Sequence, residues 1–474
     1  MCLLKYKRFF IFSAMKVLFI LLAFLSFSHF TYTQEVKNVI LLDNWFQDSL
    51  ITNSGLARYS GSWGFKIKQE EYAVIGSTEG SHFFQLTDDN KLKPCGFIEG
   101  KFNSSLVSNR EIKIFKHYAY AVCDDGNSSL QIVDLSYLPD SVVKVADIQN
   151  EHLGKVHNIF IDTSNALLFA CLVTPIVNGN QQSVVPMEVF SLADPLNPQF
   201  LWQGPSDIPE VHDCHVSNKI AFLNCGQDGL RVYDFSNPLA PNFLFNMQFY
   251  QDQGYNHQGS LTPNGKIYVF ADETSGKRIK KCMVDQNYNL AITNYFGTNY
   301  QNNSIPHNIF CDDNFAYVAY YNEGLRIYDI RDVPIEVGAF DTYQSISSFQ
   351  MNGAWGVYKF PSGRIIVSDR QNGLFLFDFD NNFFLQEVEE DFAVYPNPTS
   401  FTTSTVIRSK DDLITHFYAE IVDELGRSIE KHFSGNQSFI VLPKLSAAGI
   451  YHLRISYTDY LGEEIIKMKK LINQ

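Results

Sequence analysis

Short runs of β-branched and aromatic residues, broken by Asp, Asn and Gly turns and returning about every 45 to 55 residues, predict an all-β chain. The expected architecture is a seven-bladed β-propeller followed by a small immunoglobulin-like β-sandwich. The unit is plainest in Pro306-His307-Asn308-Ile309-Phe310, Phe315-Ala316-Tyr317-Val318-Ala319 and Gly324-Leu325-Arg326-Ile327-Tyr328-Asp329, with Val337–Phe340 as a fourth strand. Near copies recur at Gly229–Asp234, Leu130–Asp134 and Gly373–Asp378, and almost no amphipathic helical period interrupts them between Gln34 and Asp391. One four-stranded sheet cannot bury both its faces, so sheets at this interval stack on one another.

A repeated opening phrase sets the number of units. Trp63-Gly64, Arg110-Glu111, His157-Asn158, His212-Asp213, His257-Gln258, His307-Asn308 and Trp355-Gly356 align as seven starts within a propeller spanning residues 35–380. The strand-like run Asn38–Leu42 either completes the last blade as a clasp or edges the first. Upstream, Lys16, the apolar run Val17–Phe27 and the small residues around Thr31-Tyr32-Thr33 read as an export signal over residues 1–33, with translation starting at Met15. That run is too short for a membrane anchor, so no transmembrane segment is expected in the mature chain. Residues 381–392 form an acidic linker containing Glu387, Glu389 and Glu390. Residues 393–474 alternate in short strands, with a hairpin turn at Asp423–Arg427.

A formal charge of −14 excludes a nucleic-acid partner, which would need a basic face. The eight cysteines include no Cys-x-x-Cys pair, and Cys123, Cys171 and Cys225 fall in equivalent second strands, so they read as buried free thiols. There is no nucleophile elbow, phosphate-cradling glycine loop or calcium loop.

Each start precedes the innermost strand of its blade, which places its side chain near one mouth of the central channel. Trp63, Arg110 and Trp355 are the candidate ligand-binding residues there, two indoles forming an apolar wall and a guanidinium holding an anionic group. His157, His212, His257 and His307 are candidate ligands for a divalent transition metal, zinc or iron, because imidazoles on rigid strands with an open side are what such an ion requires. Glu111, Asp213 and Glu273 are candidates to orient those ligands. The same histidines also fit structural capping of the neighbouring blade or a metal-free pocket. His215, three residues past His212, is expected on the opposite strand face, in core packing.

The tail, with Tyr395-Pro396-Asn397-Pro398, Asp423 with Gly426-Arg427, Ala448-Gly449-Ile450-Tyr451 and Lys469-Lys470-Leu471-Ile472, resembles the C-terminal sorting domain of the type IX secretion system of Bacteroidetes. The resemblance implies type IX secretion machinery as a partner, with release or attachment at the outer-membrane surface. The body, through Leu130–Asp134, Leu230–Asp234 and Leu325–Asp329, resembles LVIVD-repeat propellers, particularly those of the choice-of-anchor B family; Asn109 stands where that family often carries Trp. The expected function is a secreted or surface-attached ligand-binding or display protein engaging a glycan, peptide or small molecule. A metal-dependent hydrolase or oxygenase at the axis and a scaffold in a surface assembly stay open as alternatives.

Overall fold

The computed structural model describes residues 36–298, 304–344 and 351–380, and beyond them 392–399, 404–409, 414, 416–423, 427–435, 437–458 and 464–473. The export signal read over 1–33 and all of the linker read over 381–392 except Phe392 lie outside the described residues; Phe392 opens a strand of the tail instead of ending the linker. Every regular element among the described residues is a strand.

Residues 36–380 form seven antiparallel sheets, each with a four-stranded core. In the first, Tyr59–Ile67, Glu70–Ser77, Gly80–Leu86 and Leu92–Glu99 follow one another in chain order. The other six begin with Arg110–Phe115, Gly154–Asp162, Asp213–Ser217, Asn256–Leu261, Ile309–Cys311 and Ala354–Lys359. Each first strand touches the first strand of the next sheet, and the seventh touches the first, so all seven line one axis.

The two-residue period of a strand explains how the sheets stack. In Ile220–Asn224, Ile220 and Phe222 pack with the fifth sheet while Ala221 and Leu223 pack with the third. Buried on both faces, such a strand reads as an unbroken apolar run rather than an alternating one. Seven apolar clusters of this kind fill the seven gaps between consecutive sheets. Closure uses the start of the described chain: Val39–Trp45 pairs with Gly373–Phe379 as the outer strand of the seventh sheet, and Val36–Lys37 extends the sixth. Of the two sequence alternatives for this run, the clasp is the one present.

The tail forms two further sheets, Phe392–Tyr395, Val406–Ser409 and Phe439–Val441 against Phe417–Val422, Ser428–Phe433, Gly449–Thr458 and Glu464–Asn473. Their inward side chains, among them Phe392, Ile407, Phe417, Ile421 and Leu453, share one core. Motif residues tie it shut: Asn397 Nδ2 donates to the Lys470 carbonyl at 2.6 Å and Asn397 Oδ1 accepts from Ile472 N at 2.9 Å. Arg427 closes its hairpin on Asp423, Nε to Oδ2 at 2.7 Å. Ala393, Tyr395, Val406 and Phe439 also share a cluster with Phe340 and Phe377, so the tail packs on the sixth and seventh sheets.

Candidate functional site

Four imidazoles meet at the axis. His157, His212, His257 and His307 pack ring against tilted ring with centroids 4.3, 4.2 and 4.4 Å apart, and His307 continues onto Trp355 at 4.2 Å. Their inward direction has a backbone cause. The register shifts around His257 and around Trp355, so each sits in a bulge and turns to the axis beside its successor instead of alternating with it.

Each ring is pinned by the next sheet or by a loop. His212 Nδ1 donates to the His257 carbonyl at 3.1 Å and His307 Nδ1 to the Trp355 carbonyl at 2.6 Å. A carbonyl only accepts, so the ring proton sits on Nδ1 and Nε2 keeps its lone pair. Burial holds both well below the usual imidazole range, and the neighbouring imidazoles push the same way, so both are neutral at neutral pH. His157 differs. Burial lowers it, but the hydrogen bond from Nδ1 to Asp124 Oδ2, 2.5 Å, together with the negative charges of Asp124, Glu111 and Asp213, outweighs this and its pKa is raised.

Beyond the imidazoles the channel opens into a cavity of about 340 Å³. Much of its wall comes from the positions one and three residues after the second to seventh starts, joined by Trp63 of the first sheet. Glu111, Asn158, Asp213, Gln258 and Asn308 supply polar groups, and Trp63, Phe160, His215, Phe310 and Tyr358 supply rings, with Lys113 among them. Lys113 Nζ lies 3.5 Å from Glu111 Oε2 and 4.4 Å from the Trp63 ring centre. Trp355 reaches across the axis, its Nε1 donating to Glu111 Oε1 at 3.2 Å. Asp213 accepts from Asn158 Nδ2 at 2.7 Å and from Cys214 N at 2.6 Å. Burial, with Glu111 adding to it and Lys113 opposing, pushes the Asp213 carboxyl up to about 7. Asn308 Oδ1 and Ser62 Oγ, both on lining residues, are buried without a hydrogen-bond partner.

The sequence-predicted residues divide between these two places. The four histidines form the arc. Glu273 joins its His257–His307 end, with Oε2 3.7 Å from His257 Nε2, while Glu111 and Asp213 face the cavity instead. Trp63 lines the cavity but is not the counterpart of the histidines. That position in the first sheet is Ser60, whose Oγ meets the Arg110 carbonyl at 3.3 Å as His212 meets that of His257. Arg110 is outside the channel: Nε donates to the Ser77 carbonyl at 3.0 Å and Nη2 to that of Phe102 at 3.0 Å, with the guanidinium against Gly100. Asn109 takes over the imidazole's role there, donating to the His157 carbonyl at 2.7 Å. His215 corrects the expectation of an opposite face. It shares the channel side with Asp213, because the strand alternates from Asp213 and not from His212. Lys113, Asn308, Tyr321 and Asp124 were not anticipated. Lys113 was findable, since the residue three past each of the second to seventh starts lines the wall.

Residues 307–342 match the LVIVD repeat family. No curated protein matches the chain. Among solved structures, the computationally designed Ika8 protein aligns with a TM-score of 0.46 at 10% identity, covering 72% of this chain and 99% of that one. PorZ, a surface component of the type-IX secretion system of Porphyromonas gingivalis, gives 0.45 at 12%, covering 87% and 59%. The extracellular domain of the hybrid two-component system BT4673 of B. thetaiotaomicron gives 0.44 at 12%, covering 91% and 59%. The chain thus spans about three-fifths of the length of these two natural proteins. No helix among the described residues is long and apolar enough to cross a membrane.

Proposed function

We propose that this chain is an exported seven-bladed β-propeller with an immunoglobulin-like tail, and that it binds a small amphipathic molecule in its axial cavity. The observation that carries the reading is the cavity itself, about 340 Å³, lined both by the rings of Trp63, Phe160, Phe310 and Tyr358 and by the hydrogen-bonding side chains of Glu111, Lys113, Asn158, Asp213, Gln258 and Asn308. Pockets of this size and composition suit a ligand whose apolar body packs on the rings while its polar head meets a few fixed groups. Glu111, Lys113 and Asp213 offer both charges, and Asn308 Oδ1 offers an unused acceptor, so a head bearing both donors and acceptors fits better than a purely anionic one. The signal-like N-terminus and the sorting-type tail support an extracellular or surface location, with type IX secretion machinery as the partner that places it there.

The test is a thermal-shift and native mass-spectrometry screen of the full mature chain against short peptides, mono- and disaccharides and aromatic amines. At least one class is expected to bind wild type at one equivalent and to lose affinity in Trp63→Ala and Lys113→Met. Retained binding in both folded variants, or no binder in any class, sinks the axial-cavity reading.

A further inference from the structure

We infer that His257, His307 and Glu273 form a binding site for one transition-metal dication, on the far side of the imidazole arc from the cavity. Each of the three offers one ligand atom, and these atoms all lie within 4.8 Å of one another. They come from fixed points on two neighbouring sheets. His257 sits in the bulge of a first strand, Glu273 directly follows the strand Ile267–Asp272 with its N–H bonded to the Tyr255 carbonyl at 2.8 Å, and His307 N is bonded to the Ala319 carbonyl at 3.0 Å.

Three features separate this corner from ordinary packing. The Trp355 carbonyl fixes His307 as the tautomer with a bare Nε2, the form that ligates. Tyr321 donates its hydroxyl proton to Glu273 Oε1, leaving Oε2 free and aimed at His257. His257, only 3% exposed, faces the His307 backbone with one ring nitrogen, while its Nε2 makes no hydrogen bond and lies 3.7 Å from Glu273 Oε2, beyond hydrogen-bond range. Nε2 is the nitrogen that faces Glu273 without a hydrogen bond, and an ion held between them would supply that contact.

The donor set selects the ion. Two imidazoles and one carboxylate suit zinc, iron(II), cobalt or nickel, whereas calcium and magnesium prefer oxygen throughout. Three protein ligands leave a position for water or another small ligand. Glu273, with 16% of its side chain exposed, marks the side from which the ion enters. Arg370 lies over the Trp355 ring at 4.8 Å and adds a positive charge nearby. Among the described residues no ligand triad includes His157 or His212; His157 is engaged by Asp124 and stays outside.

The test does not depend on the cavity ligand. The full mature chain, stripped with a chelator, is titrated with Zn²⁺ and separately with Co²⁺. One equivalent of each is expected to bind, Co²⁺ developing visible d–d bands of imidazole ligation that Zn²⁺ displaces. Glu273→Gln and His307→Ala should weaken binding by about tenfold or more, while His152→Ala, on the third sheet's own pair with Glu188, should leave it unchanged. Because His307→Ala can unfold the arc, Tyr321→Phe serves as a shape-preserving second variant, expected to lower affinity with circular dichroism unaltered. A folded wild type that takes up no stoichiometric metal, or takes it up equally in Glu273→Gln, overturns the proposal.

Discussion

Asp213 makes the stability of the axis depend on pH. Its carboxyl is raised from the ordinary 3.8 to about 7 in the folded chain, chiefly by burial. Below pH 3.8 it is protonated in both states and contributes nothing. Between 3.8 and 7 the unfolded chain loses this proton while the folded chain keeps it, so stability falls as pH rises. Above 7 the loss is complete and constant. At 1.36 kcal/mol per pH over that gap, the difference is about 4 kcal/mol. Asp213→Asn removes the titration but sets an amide donor against Asn158 Nδ2, a pH-independent penalty of about 1–3 kcal/mol. The variant should therefore be less stable than wild type at pH 4.5 and as stable or more so at pH 8. Urea unfolding of the full chain at both pH values, with coincident fluorescence and far-UV circular dichroism traces to establish cooperativity, reads the change in the wild-type-minus-variant difference. A difference that stays constant within about 1 kcal/mol would mean that Asp213 is solvated and ionised in the folded chain, and the burial argument fails.

Gly324 has φ +74°, and a Cβ there would collide with the Phe340 carbonyl oxygen; Gly324→Ala should destabilise by about 2 kcal/mol or more, read from the urea midpoint. Lys280 and Asp272 form a fully buried pair at 2.8 Å, so Lys280→Met, which leaves the buried carboxylate only the Tyr250 hydroxyl and Gly254 N–H and no ammonium partner, should cost about 3–5 kcal/mol, more than removing any exposed pair. Deleting residues 36–45 leaves Gly373–Phe379 as an open apolar edge, and size-exclusion chromatography should show aggregation in place of a monodisperse peak. Iodoacetamide at pH 8 should modify none of the free thiols of Cys123, Cys171, Cys214, Cys225, Cys282 and Cys311 until denaturant is added, because all six are buried.

The repeat was legible because the physics that makes it is local. A sheet flanked on both faces needs unbroken apolar strands, and its hairpins need Gly, Asn or Asp, so Phe315–Asp329 announces itself in the sequence. The clasp was only half legible: pairing Val39–Trp45 with a strand more than 300 residues away depends on ring closure, which no local pattern encodes. At the site the histidine positions were readable and the direction of neighbouring side chains was not. The shared Trp-Gly pair drew Trp63 into alignment with Trp355, yet the first sheet shifts its register between Tyr59 and Ser62 and moves Ser60 into that place. Arg110 could not be placed from its position alone. Its long side chain turns away because Gly100 leaves room for the guanidinium beside two carbonyls.

The axis therefore combines a repeated backbone with unrepeated chemistry. Register shifts in the first strands of the first, fifth and seventh sheets turn side chains toward the axis, and the large apolar clusters that stabilise the ring lie in the gaps between sheets, with Trp355 packed separately on Ile305 and Tyr321. Some polar groups there tie neighbouring sheets, as His212 and His307 do through Nδ1, whereas Asp213, one residue past the axial position, opposes folding through its raised carboxyl. If stacking alone had shaped the axis, small apolar residues at these positions would give a more stable molecule. The concentration of buried carboxylates, imidazoles and an ammonium group on one line is instead what a binding site requires, held in place by a ring whose stability comes from elsewhere.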